Sequence, residues 1–128
     1  MTDQPTTTIT QIRSVAINVD DQDAALAFYA GVLGFEVRID TGPSPAGRWI
    51  EIAPPGGATT VALVAAPGAT QGGVDTGIRF TTADVLADHT ALRTAGVDVD
   101  AEVSNWPGVP PMFSLRDPEG NTVYILEG

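Results

Sequence analysis

The chain has 128 residues, 43% of them hydrophobic and 17% charged, a composition that predicts one folded domain with one core and excludes a disordered chain. Sixteen acidic residues against six basic ones give a formal charge of −10, which repels a polyanion and argues against a nucleic acid partner. The absence of cysteine excludes disulfides, thiolate metal sites and a cysteine nucleophile, and with no leader-like start or long apolar run a cytoplasmic protein off the membrane is expected.

Taken in chain order, Val15, Ile17 and Val19 alternate with Ser14, Ala16 and Asn18, the period of a half-buried strand. "DDQDAALAFYAGVLGF" then offers an aspartate cap, apolar residues at helical spacing and a glycine stop at Gly34. "FEVRID" reads as a strand, "TGPSPAG" as a loop, "RWIEIA" as a strand, "PPGGA" as a turn and "TTVALVAA" as a strand. After the linker "PGATQGGVD" the pattern returns. "TGIRFTT" is a strand, "ADVLADHTALRTAG" a capped helix, and "VDVDAEV", "MFSLR" and "TVYILEG" complete the set around the loop "SNWPGVPP" and the turn "DPEGN".

Each half is therefore βαβββ, and a shift of 62 to 64 residues superposes Ser14 on Gly77, Asp21 on Asp84, Gly34 on Gly96 and Ala62 on Tyr124. Neither half alone can bury both faces of its sheet, so a duplication predicts one α+β domain spanning 1–128, with modules at about 10–66 and 75–127. Helices are expected on the outer face of a curved mixed-sheet cup, and a concave sheet-lined surface is a ligand site by default.

Strand parity sorts the side chains. Val15, Ile17, Ile50, Ile52, Val61, Leu63, Ile78, Phe80, Phe113, Leu115, Val123 and Ile125 fall toward the helices as core. The cup side carries the candidate ligand-binding residues Ser14, Asn18, Trp49, Glu51, Arg79, Met112, Ser114 and Tyr124, joined by Trp106 on the proline-braced loop. Tryptophan and methionine in a concave site suit flat aromatic ligands, since stacking and thioether contacts reward area. Glu51 reads as a pocket carboxylate that pairs an arginine or meets a cationic or hydrogen-bond-donating ligand, with a general base as the other reading. His89, the single histidine, lies on the second helix and reads as an exposed or boundary residue outside the cup. No Ser-His-Asp or phosphate-loop arrangement is present, so no catalytic residue is assigned.

The paired modules, with "DDQDAALAFYAGVLGFEV" in the first and "FSLRDPEGNTVYILE" in the last, make the chain resemble the vicinal oxygen chelate superfamily, that of glyoxalase, bleomycin resistance protein and extradiol dioxygenase. The resemblance runs over residues 10 to 127 and implies the cup fold. It also implies four metal-ligand positions, here Ser14, Ala62, Gly77 and Tyr124. A hydroxyl, a methyl, a bare backbone and a phenol do not make a divalent metal shell, so neither metal nor other cofactor is expected. The resemblance is strongest to the metal-free bleomycin-resistance branch. It implies a homodimeric, non-enzymatic protein that sequesters an aromatic antibiotic or natural product, with exchange of the first strand or cups shared between subunits in that branch. A lyase, isomerase or dioxygenase, metal-dependent or using Glu51 or Tyr124 in acid-base work, is the alternative, and a regulatory or interaction module a third.

Overall fold

Both predicted modules form, in a computed structural model that describes residues 3–68 and 72–128; the middle of the expected linker, 69–71, and the first two residues lie outside them. The first module runs β1 (Ser14–Val19), α1 (Gln22–Leu26), β2 (Glu36–Asp40), β3 (Ile50–Ala53) and β4 (Thr60–Ala65). The second runs β5 (Asp75–Thr82), α2 (Val85–Thr94), β6 (Asp98–Val99), β7 (Met112–Arg116) and β8 (Thr122–Glu127). Each makes a four-stranded sheet, ordered β1-β4-β3-β2 and β5-β8-β7-β6, in which the first strand pairs parallel with the last and the rest are antiparallel.

The aspartate caps work as their positions predict. Asp21 accepts from the Ala24 amide and Asp84 from the Ala87 amide, both at 3.0 Å, and such a cap contributes about 1 kcal/mol. Two elements differ from expectation. The first helix widens into a π-helical stretch over Ala27–Val32, and Phe28 and Tyr29 are both buried there, their rings edge to face at 5.1 Å. β6 shrinks to two residues because the Ser114 amide donates to the Asp100 carboxylate instead of its carbonyl, although the Asp100 amide still donates to the Ser114 carbonyl at 3.1 Å.

Parity places the core as read. Ile17, Ile50, Ile52, Val61, Leu63, Phe113, Leu115 and Val123 are buried, and Val15, Ile78, Phe80 and Ile125 pack against the same cluster. Each such aliphatic, once fully buried, adds about 1.5–3 kcal/mol. That cluster is common to the two modules: Leu115 and Val123 of the second sheet join Phe28, Tyr29 and the first-sheet aliphatics, and Phe35 meets Phe80 edge to face at 5.1 Å. The helix-side faces of both sheets thus turn to one interior, and their cup-side faces point away from it.

The "DPEGN" turn ties the halves together. The Tyr29 hydroxyl donates to Asp117 Oδ2 at 2.9 Å, the Asp20 and Asp21 amides donate to the Glu119 carboxylate at 2.6 and 3.1 Å, and Asn121 Nδ2 donates to the Asn18 carbonyl at 3.2 Å. Its conformation is locked from within, since Asp117 Oδ1 accepts from the Glu119 and Asn121 amides.

His89 corrects the expectation of an exposed or boundary residue. It is buried, stacked edge to face on Phe113 at 5.1 Å, and its Nε2 donates to the Asp100 carbonyl at 2.7 Å. The ring sits one turn from buried Val85 on the inner face of α2, so its apolar body packs while its one inward polar atom is satisfied. Among the described residues no helix is long and apolar enough to cross a membrane.

Candidate functional site

On the first sheet the cup-side face is organised around Glu51 in β3, whose residue is only 1% exposed. Its Oε1 accepts from the Thr60 hydroxyl at 2.6 Å, and its Oε2 accepts from Trp49 Nε1 at 2.7 Å and from Arg13 Nη2 at 3.2 Å. Thr60 foremost, then the Trp49 indole, hold the carboxyl below the usual carboxylate range against the opposing pull of burial, with Arg13 adding to them. The Trp49 indole edge is therefore fixed while the residue stays 48% exposed. Of the two roles read for Glu51, the structure displays the pairing with an arginine.

On the second sheet a bulge interrupts β5 between Asp75 and Arg79, and Gly77 sits inside it at φ +71°, a conformation that side chains disfavour. The bulge lets Asp75 reach back: it accepts from the Tyr124 hydroxyl at 2.5 Å and the Gly77 amide at 2.9 Å. The Tyr124 bond is the foremost cause that lowers the Asp75 pKa and raises that of Tyr124. Arg79 donates to the Gly77 carbonyl and lies 5.3 Å from the Tyr124 ring centroid, a cation–π distance.

Ser114 is buried and spends its hydroxyl on Asp100 Oδ1 at 2.8 Å, and Arg116 Nη1 joins the same carboxylate at 2.9 Å. Burial pulls the Asp100 pKa upward, but the Ser114 amide, Arg116 and the Ser114 hydroxyl together hold it below the ordinary range. Met112 is half-buried and bridges to Ser104, closing the base of the loop on which Trp106 stands 68% exposed.

The sequence-derived candidates thus form two sets. Trp49 and Glu51 share the first sheet with half-buried Ser14 and exposed Asn18, whereas Arg79, Tyr124, Met112 and Ser114 belong to the second. A groove of about 810 Å³ lies between edge strands β1 and β5, where Val15, Val61, Ile78 and Phe80 meet the "PPGGATT" turn, and it takes in Arg79 and the Glu51 partner Thr60. Among the described residues its lining carries Arg79 as its one charged side chain.

Arg13, Thr60, Asp75 and Asp100 escaped the sequence reading. Parity does not reach Arg13, which precedes β1, but a buried carboxylate requires donors, and Arg13 is the basic residue next to the first cup strand. The four positions implied for metal ligands hold a half-buried serine, a buried alanine, a bulged glycine and a tyrosine bonded to Asp75. Among the described residues no three His, Asp or Glu side chains come together as a metal site needs.

Comparison with known proteins agrees with this architecture. The Bacillus subtilis (strain 168) protein YetH is 30% identical over 122 residues, covering 93% of this chain and 99% of YetH. The structure is similar to TnmS3, an antibiotic binding protein from Streptomyces sp. CB03234, with a TM-score of 0.80 at 31% identity over 95% of this chain and 98% of that one. A glyoxalase/bleomycin resistance protein/dioxygenase superfamily member from Sphaerobacter thermophilus DSM 20745 gives 0.84 at 31% identity, over 95% and 100% of the two chains. Residues 11–125 match the sequence family of the same description, and the chain belongs to the glyoxalase/bleomycin resistance protein/dioxygenase superfamily.

Proposed function

We propose that the protein binds an aromatic small molecule, an antibiotic or similar natural product, without metal and without turning it over, and protects by sequestration in the cytoplasm. The carrying observation is the Glu51 face, where a tryptophan half-open to solvent is held by a buried carboxylate at 2.7 Å. A ring fixed before the ligand arrives loses little conformational entropy on stacking, which is where preorganised sites gain affinity. TnmS3, at 31% identity, is an antibiotic binding protein, and that likeness supports the same reading here. Metal independence is supported by the serine, alanine, glycine and tyrosine at the ligand positions of the family.

Because the two cup-side faces point away from a common core, each is half of a concavity. A homodimer in which the Trp49 face of one copy meets the Tyr124 face of its partner completes two equivalent cups. A general-base role for Glu51 has little support, since the carboxylate is buried and its bonds from Thr60, Trp49 and Arg13 favour the ionised form, which makes it a weaker base. The test is a metal assay on purified protein with a tryptophan fluorescence titration against a panel of aromatic antibiotics. Saturable quenching that is lost in Trp49→Ala and kept in Trp106→Phe, with the drug recovered unchanged, is expected. Stoichiometric zinc, nickel, iron or manganese, or a modified drug, overturns the proposal.

A further inference from the structure

The open face of the first sheet carries two groups a ligand can reach, and both are fixed by a third it cannot. Trp49 Nε1 and Arg13 Nη2 donate to the same oxygen, Glu51 Oε2, so the guanidinium stands at the edge of the indole, no further from it than those two bonds allow. Glu51 is buried, with a side chain 2% exposed, whereas the Arg13 side chain is 73% exposed. Among the described residues its bonded nitrogen is Nη2, which leaves Nε and Nη1 as donors with access to solvent.

Charge accounting then decides what this face selects. The Glu51 charge is matched by Arg13, and its side chain is only 2% exposed, so an incoming cation would not reach the carboxylate and would meet the exposed guanidinium instead. A planar ring stacked on Trp49 brings its substituents to Arg13, where a carboxylate, phenolate or carbonyl oxygen completes the donor set with charge-assisted bonds. The formal charge of −10 does not reverse this preference. At physiological salt, fields from charges more than about 8 Å away are screened, and contact with the nearest guanidinium dominates.

We infer that Arg13, held against the Trp49 edge by Glu51, is a specificity residue that selects aromatic ligands bearing an anionic or strongly accepting oxygen over aromatic cations. This rests on the aromatic binding reading above and narrows it to a chemical class. Glu51 acts here as a positioning residue, through Arg13 and Trp49.

The experiment compares two probes with one ring system, anthracene-9-carboxylate and (anthracen-9-yl)methylammonium, by quenching of tryptophan fluorescence in the full chain. The wild type is expected to bind the carboxylate about tenfold more tightly. Arg13→Gln should bring the ratio to about one, and Arg13→Lys should restore most of the preference, because a point charge replaces the fork. Circular dichroism of both variants checks that this exposed position leaves the fold intact. Saturable, Trp49-dependent quenching with equal or inverted preference, or a preference untouched by Arg13→Gln, overturns the inference while leaving aromatic binding standing. Absence of Trp49-dependent quenching with both probes overturns the binding reading and this inference with it.

Discussion

The bond between Tyr29 and Asp117 joins the two modules through groups that are 0% and 5% exposed, at 2.9 Å. Tyr29→Phe removes one oxygen and nothing else. Hydrogen bonds to charged partners are worth about 1.5–3 kcal/mol. Asp117 keeps the Asn121 side chain and two turn amides, so the carboxylate is not stranded, and a loss of about 2 kcal/mol is expected. At about 2.1 cal/mol/K per residue, 128 residues unfold with an entropy on the order of 0.27 kcal/mol/K, so Tm should fall by about 7 °C. Urea unfolding at fixed protein concentration measures the free energy, and Asp117→Asn with the double variant isolates the coupling. A pH titration supplies an independent reading. Burial first, then the Asp117 charge and hydrogen bond, raise the Tyr29 pKa far above its usual value. The native phenol should therefore stay protonated past pH 10, and its stabilisation, complete below about pH 10, is lost as pH rises further. A loss below about 0.5 kcal/mol, or phenol ionisation near pH 10 in folded protein, would mean that this bond does not hold the modules together.

The close approach of the linker end to the "DPEGN" turn makes Gly73→Ala costly. A Cβ there would stand 2.2 Å from the Gly120 carbonyl, at φ +86°, so a loss of about 3 kcal/mol or more is expected in urea unfolding. Gly31→Ala, which meets nothing within 4 Å, should instead gain about 0.5–1 kcal/mol, and matching effects at the two sites would contradict the geometry. Acid should weaken the protein through Glu51 and Asp100, both held below the ordinary carboxylate range. Their stabilisation is complete above the unfolded values of about 4.3 and 3.9 and drains away as pH falls below them. Urea midpoints measured from pH 6 to 3 should fall, and Glu51→Gln should flatten that slope; an unchanged slope speaks against the Glu51 network.

Alternation of apolar and polar residues was enough to place the strands and the core, because burial on one sheet face is written with period two, and the aspartates ahead of each helical pattern placed the caps. The side on which each sheet meets its neighbour is not written that way. How the two modules of the cup fold meet is set by Tyr29, Phe35 and the "DPEGN" turn at long sequence separation. Similar reasons hid Arg13, whose role depends on a carboxylate 38 positions away, and His89, whose polar type masked an apolar environment. The π-helical widening left no mark in residue spacing. Trp49 and Glu51 were legible as candidates, but the bond that makes them one unit was not, because Trp49 stands one residue before β3 begins.

Because the interior draws on both halves, neither half is self-sufficient. A chain severed between the modules would release one piece with Phe28, Tyr29 and Phe35 uncovered and another with Phe80, Leu115 and Val123 uncovered. Each piece would present the surface that the other needs, so the two should find one another again or aggregate. Joined in one chain, the halves meet at a high effective concentration, whereas two separate pieces would pair only as far as their concentration allows.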